Sequence, residues 1–350
     1  MTTTVWVIAA ASFVLALGGT AAMRRYARWR RLLDHPNERS SHAQPTPRGG
    51  GLAIVAAFVL GASLFALPAG EPQVARLWVA LVPPALAVAA VGFWDDHRPL
   101  TARVRLLVHF GAAIWLVAAL GGLAPLRLGQ QTIDLGWVGA GLAVVAVVWV
   151  LNLYNFMDGI DGIAAGEAVF VALAGAVLVG PGATPFAPLV ILAGSAAGFL
   201  VLNWPPARIF MGDVGSGFLG FTIAGLLLAG HNAGQLPPAV PLILLAVFLV
   251  DASWTLVRRL LRREPVHQPH RMHAYQRAAR RFAAHRPVTA AVLLIDLAWL
   301  LPAALLAVRR PEWSLAIAGL AAVPVLLLAW WLGAGLPEAP RATAPGPPEA

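Results

Sequence analysis

Apolar residues fall in long unbroken runs along this chain, and polar residues gather in the short stretches between them. The first run covers 5–23. Others are readable near 51–68, 77–94, 104–124, 137–154, 163–180, 186–203, 217–230, 239–257, 288–308 and 313–333. Most match the roughly 20 residues that a helix needs to cross about 30 Å of hydrocarbon. The pattern predicts an all-α, polytopic integral membrane protein of about eleven spans. The run at 217–230 is short, and its start merges with a Gly-rich segment. One transmembrane catalytic domain is expected over 1–335, followed by a Pro/Ala-rich disordered tail over 336–350. Neither an inverted repeat nor a second soluble domain is apparent.

Composition agrees with that picture and removes several chemistries. The 350 residues are 59% hydrophobic and 12% charged, and the mean hydropathy is +0.73. There is no cysteine, which excludes disulfides, a thiol nucleophile, Cys-ligated zinc and iron–sulfur clusters. All 25 basic residues are arginine. A lysine-dependent P-loop and Schiff-base chemistry are therefore excluded as well.

Charge orients the spans. If the N-terminus lies outside and the spans alternate, the arginines fall in or beside the inner segments, except Arg76, Arg127, Arg309 and Arg310. The positive-inside rule then predicts an outside N-terminus and a cytoplasmic C-terminus. It also explains the net charge of +9 as topology, not as nucleic-acid binding. No basic residue precedes the first run, and Arg24, Arg25 and Arg28 follow it. It therefore reads as a retained helix, not a removable signal.

Five polar motifs all fall on the inner side. Asn152-Leu-Tyr-Asn-Phe-Met-Asp-Gly-Ile-Asp-Gly-Ile-Ala164 places Asn152, Asn155, Asp158 and Asp161 at every third position, so a helical end would turn them toward one face. Polar oxygens at the mouth of a membrane helix suggest a metal- and nucleotide-binding wall. Asp34-His-Pro-Asn-Glu-Arg-Ser-Ser-His42 leads into Pro45-Thr-Pro-Arg-Gly-Gly-Gly51, where glycine N–H groups could approach an anion and Arg48 would add charge. Adjacent Asp95 and Asp96 end the third span and suit metal-proximal acid/base chemistry. Asp213, within Phe210-Met-Gly-Asp-Val-Gly-Ser-Gly217, suits a Mg²⁺ ligand, because Mg²⁺ is held by few protein carboxylates plus phosphate oxygens and water. His267, His270, Arg271, His273 and Arg277 could donate to a diphosphate. Their spacing matches no common zinc motif.

Each motif also has a plain structural reading: a Gly/Pro loop, a solvated helix end, an Asp cap, or a basic juxtamembrane loop on anionic lipid. Asp251 and Asp296 lie within spans, where pairing or a helix-neighbour hydrogen bond is the simplest expectation. His109 reads as a satisfied buried histidine.

Taken in order over residues 34–277, the five motifs resemble those of the polyprenyl-phosphate N-acetylhexosamine-1-phosphate transferases, glycosyltransferase family 4, which also include the phospho-MurNAc-pentapeptide translocase. The ending Arg271-Met-His-Ala-Tyr-Gln-Arg277 is more similar to the branch that initiates O-antigen and related polysaccharides. The resemblance implies transfer of a sugar-1-phosphate from a UDP-N-acetylhexosamine to undecaprenyl phosphate, with release of UMP. It further implies Mg²⁺, with Mn²⁺ as a substitute, held by Asp213 and Asn155. Asp95 and Asp96 would be catalytic alongside Asp213, with one of the pair a candidate base. Asp158, Asp161, Asn152 and Arg48 would lie on the nucleotide side, and the His267–Arg277 cluster would bind phosphate. It implies a bacterial inner-membrane enzyme with its site facing the cytoplasm, in contact with membrane lipid and compatible with a homodimer. The spacing of His267, His270 and His273 departs from the translocase, as does the lack of lysine. A transporter would place ionisable groups nearer the membrane midplane, and an intramembrane prenyltransferase would carry two clusters of spaced aspartates.

Overall fold

The computed structural model describes residues 2–34, 45–128, 131–265 and 270–337. His267, most of the Asp34–His42 stretch and the expected tail from 338 lie outside them. The described chain is almost entirely helical. In order come α1 (Thr2–Trp29), α2 (Gly51–Ala69), α3 (Pro72–His97), α4 (Ala102–Leu120), α5 (Gly136–Met157), α6 (Ile163–Val179) and α7 (Phe186–Asn203). There follow α8 (Asp213–Asn232), α9 (Val240–Leu244), α10 (Ala246–Leu261), α11 (Ala274–Phe282), α12 (Arg286–Ile295), α13 (Leu301–Arg309) and α14 (Ser314–Trp331). A π turn at Asp296–Leu300 joins α12 to α13. Two small antiparallel hairpins pair 33–34 with 46–47 and 126–128 with 131–133.

Nine helical stretches among the described residues are long and apolar enough to cross a membrane. The other two expected spans take different forms. One is the 17-residue α6. The other is divided at Leu245 into α9 and α10. The expected short run at 217–230 is instead the 20-residue α8, which begins at Asp213 inside the Gly-rich motif. Glycine ordinarily weakens a helix, but small residues let membrane helices approach closely. Gly51 and Gly215 illustrate this, since a Cβ on Gly51 would overlap the Gly215 backbone. α8 is accordingly the most enclosed long helix, 94% buried over its apolar window, and it packs among α2, α3 and α5. α1, α4 and α14 instead expose Leu15, Leu107, Leu320 and other large apolar side chains, as lipid-facing helices do.

The molecule has two distinct ends. At one, Gly50 N–H donates to Phe210 O, Tyr275 Oη to Phe156 O, and Gly335 N–H to Met272 O. These bonds pair parts of the inner segments 23–50, 152–162, 203–216 and 258–287 and the chain after 333. At the other, Asn232 ties down Gly122 and Ala124. Thr2 starts at that far end, about 40 Å away along α1 at 1.5 Å per residue.

Two buried acidic positions are resolved. Asp296 turns toward Glu167 of α6, and both are fully buried. Asp251 in α10 accepts the N–H groups of Ala274 and Tyr275 at 2.8 and 3.0 Å.

Candidate active site

The acidic corner is built where α3 ends and α8 begins. Asp96 accepts the N–H groups of Asp213 at 2.9 Å and Val214 at 3.2 Å, which satisfies two donors that a helix start leaves open. One guanidinium nitrogen of Arg48 lies 2.8 Å from Asp96 and 2.9 Å from Asp213. Burial disfavours the Arg48 charge, but Asp96, Asp213, Asp34 and Asp158 outweigh it and hold the guanidinium above its ordinary value. Asp95 turns to another partner set, the Leu100 N–H at 2.5 Å and Arg105 at 2.7 Å. Arg105 also reaches within 3.6 Å of Asp213. Three aspartates from two motifs are thus laced by two arginines. Arg105 was not apparent from sequence; its only signal was its place one helical turn into α4.

Beside this corner lies a cavity of about 210 Å³. Asp34, Arg48, Asp213, Asn155, Asp158 and Asp161 line it, as do the Gly159–Ile160 backbone, Asn203 and Phe210. α5 stops at Met157, so Asp158 and Asp161 sit on the turn that follows it, not on a continued helix. Burial, and then the nearby Asp213, push the Asp158 carboxyl well above the usual carboxylate range, against the opposing pull of Arg48. Asp161 is held at both ends: it accepts the Ala207 N–H at 2.9 Å and lies 3.1 Å from His285.

Several expectations need correction. Asn152 does not line the cavity; its amide donates to Val148 O within its own helix at 2.7 Å. The Gly50 and Gly51 N–H groups donate to Phe210 O and Met211 O, so they are not free to bind an anion. Arg277 donates to Leu332 O at 2.7 Å and to Leu336 O, and so clasps the end of α14. His273 is buried 3.4 Å from Asp251 and stacks on His270. Burial, followed by the charges of His273 and Arg259, lowers His270 to about 3. That ring is neutral near neutral pH and brings no charge to a phosphate. Arg271 is not part of the cavity wall either. From this segment, the residues that line the cavity are Gln276 and His285, which carried no distinctive spacing in the sequence.

The donor set can be tested against a divalent cation. Among the described residues, no three His, Asp or Glu side chains group to hold a metal by themselves. Four carboxylates, those of Asp34, Asp158, Asp161 and Asp213, and the amide of Asn155 share one cavity with a single arginine. That excess of negative charge, registered by the raised Asp158, suits a hard cation that completes its shell with phosphate oxygens and water. The residues present fit Mg²⁺ better than zinc.

The sequence is similar to those of known proteins. The model of glycosyl transferase family 4 matches residues 78–231. A probable undecaprenyl-phosphate N-acetylglucosaminyl 1-phosphate transferase of Bacillus subtilis is 33% identical over 272 residues, covering 75% of this chain and 74% of that protein. A decaprenyl-phosphate N-acetylglucosaminephosphotransferase of Mycolicibacterium smegmatis is 35% identical over 300 residues, covering 75% and 71%. A phospho-N-acetylmuramoyl-pentapeptide-transferase of Moorella thermoacetica is 35% identical over 246 residues, covering 63% and 74%. The five ordered motifs, the helical membrane architecture and these likenesses converge, and the chain belongs to glycosyl transferase family 4.

Proposed function

We propose that this protein transfers N-acetylhexosamine-1-phosphate from a UDP-sugar to undecaprenyl phosphate, giving undecaprenyl-diphospho-sugar and UMP. The observation that carries the reading is the composition of the cavity wall: Arg48 and the carboxylates of Asp34, Asp158, Asp161 and Asp213 share it with Asn155, Gly159, Ile160, Asn203 and Phe210. A nucleotide diphosphate, with charged phosphates and an uncharged base and sugar, needs both kinds of contact. Two of the relatives named above are named for polyprenyl phosphates, and among the described residues nine helical stretches are long and apolar enough to cross a membrane. The arginine-rich end that holds the cavity is the cytoplasmic one under the positive-inside rule. On this reading the protein would work in the inner membrane of a bacterium and initiate O-antigen or another envelope polysaccharide.

Phosphoryl transfer needs positioning and charge neutralisation more than covalent chemistry from the protein. Asp213 and Asn155 would hold Mg²⁺, with Asp158 beside them, and the ion would neutralise charge on the diphosphate. Arg48 and Arg105 keep the three aspartates apart and oriented. Asp161, fixed by Ala207 and His285, shapes the nucleotide side. Asp95 would take the residual proton of the lipid phosphate only after loosening from Arg105, because both its oxygens are engaged.

Purified protein incubated with labelled UDP-N-acetylglucosamine, undecaprenyl phosphate and Mg²⁺ should release UMP and move label into the lipid phase. EDTA should stop it, and Asp213→Asn should nearly abolish it. No label in lipid with any member of a panel of UDP-N-acetylhexosamines would remove the reading. The same panel identifies the sugar.

A further inference from the structure

Asp251 lies in α10, outside the cavity wall, and is 4% exposed. Its carboxylate is nevertheless fully used. Oδ1 accepts the Ala274 N–H at 2.8 Å and the Thr255 hydroxyl at 3.2 Å, and Oδ2 accepts the Tyr275 N–H at 3.0 Å. Ala274 and Tyr275 are the first two residues of α11. A carboxylate from a different helix therefore does the work of an N-cap. It satisfies two open donors and places negative charge at the positive end of the helix.

What α11 carries gives this contact its consequence. The Tyr275 hydroxyl donates to Phe156 O at 2.9 Å. Gln276 lines the cavity, and its Oε1 accepts the His273 N–H at 3.3 Å. Both side chains press on the turn at Gly159, where a Cβ would overlap the Tyr275 hydroxyl and lie 3.1 Å from Gln276 Nε2. That turn follows Asn155 and carries Asp158. A line of contacts thus runs from Asp251 through the start of α11 to the cavity wall, with one short hydrogen bond or close contact at each step.

We propose that Asp251 is a positioning residue for the nucleotide half of the site: by anchoring α11 it sets Tyr275 and Gln276 against the Asn155–Asp158 turn and so fixes the cavity's width. The role rests on the nucleotide-sugar reading above. Asp251→Asn keeps the shape but turns one acceptor into a donor that faces a backbone N–H. Loss of position should weaken nucleotide binding while leaving the lipid side alone.

The test is UMP binding by calorimetry with Mg²⁺, beside steady-state kinetics and thermal melting, on full-length protein in detergent. Asp251→Asn should raise the UMP Kd and the UDP-sugar KM about tenfold, with the undecaprenyl phosphate KM unchanged. Tyr275→Phe deletes only the bond to Phe156 O, and should shift the same two quantities in the same direction by less. The double variant should fall short of the product of the two effects, because both act through one helix. Should Asp251→Asn fail to fold, Tyr275→Phe alone decides, and a UMP Kd equal to that of the unsubstituted protein overturns the role. Unchanged UMP binding in a folded Asp251→Asn protein, or a fall in kcat and melting temperature with both KM values intact, overturns it too. If the unsubstituted protein itself binds no UMP, the nucleotide-sugar reading fails and takes this role with it.

Discussion

Arg48 holds one guanidinium nitrogen between Asp96 at 2.8 Å and Asp213 at 2.9 Å, so a single charge bridges two motifs that lie more than a hundred residues apart. Removing it leaves two carboxylates facing each other with one partner fewer. Arg48→Ala should lower UMP release about a hundredfold or more, and raising Mg²⁺ should recover part of the loss by supplying positive charge. Activity that ignores Mg²⁺ concentration in this variant would separate Arg48 from the metal side of the site.

Arg105 and Asp95 should behave as one unit. They meet at 2.7 Å, and Arg105 also reaches within 3.6 Å of Asp213, which Asp95 itself contacts. Asp95→Asn and Arg105→Ala should each cut turnover, and the double variant should lose little more than the worse single one. Strict additivity in kcat would show that the pair does not act together. A partial return of Asp95→Asn activity at higher pH is the expected signature if Asp95 serves as a base.

His270 predicts an acid limb in stability. Its folded value is about 3, below the ordinary 6.5, so between those values the unfolded chain binds the extra proton. Stability is therefore full above about pH 6.5 and is lost as pH falls toward 3. His270→Asn should flatten that part of the melting profile. A profile unchanged by the substitution would assign the acid limb to other groups.

Glu167 and Asp296 face each other in the apolar interior, and among the described residues no cationic side chain bears on either. Among the described residues, their four carboxyl oxygens and the Tyr154 hydroxyl have no other hydrogen-bond partner. Glu167→Leu strands Asp296 and should reduce stability by about 1–3 kcal/mol. Adding Asp296→Leu should restore much of it, because an apolar pair leaves nothing unsatisfied. Melting in detergent reads both, and a double variant weaker than Glu167→Leu alone would contradict this account.

The spans were legible because hydrocarbon thickness imposes one length on every crossing, and the shared end was legible because arginine marks it. Side-chain direction was not. The three-residue spacing of Asn152, Asn155, Asp158 and Asp161 suggested one continuous face, but α5 stops at Met157. The last two project from a turn, and Asn152 is carried round toward Val148 and His109. Arg277 had the composition of a phosphate ligand, and only the tertiary fold reveals that carbonyls of the α14 end claim it. Gln276 and His285 were illegible for the opposite reason: each is ordinary in sequence, and Gln276 acquires its place from α11 docking on Gly159, His285 from its contact with Asp161. Arg48, Asn155, Asp158, Asp161 and Asp213, singled out in the sequence, all line the cavity, because charged or amide residues at membrane boundaries have few other uses; Asp34 joins them from the edge of a motif.

The clasp at the end of α14 has a consequence for assembly. Gly335 N–H reaches Met272 O, while Arg258 and Arg262 donate to the carbonyls of Ala334 and Gly335. A ribosome makes residue 335 some sixty residues after the segment it secures. The clasp between the segment before α11 and the end of α14 therefore closes only after α14 has been made, whereas the contacts of Asp251 with the start of α11 lie wholly within the chain made before it.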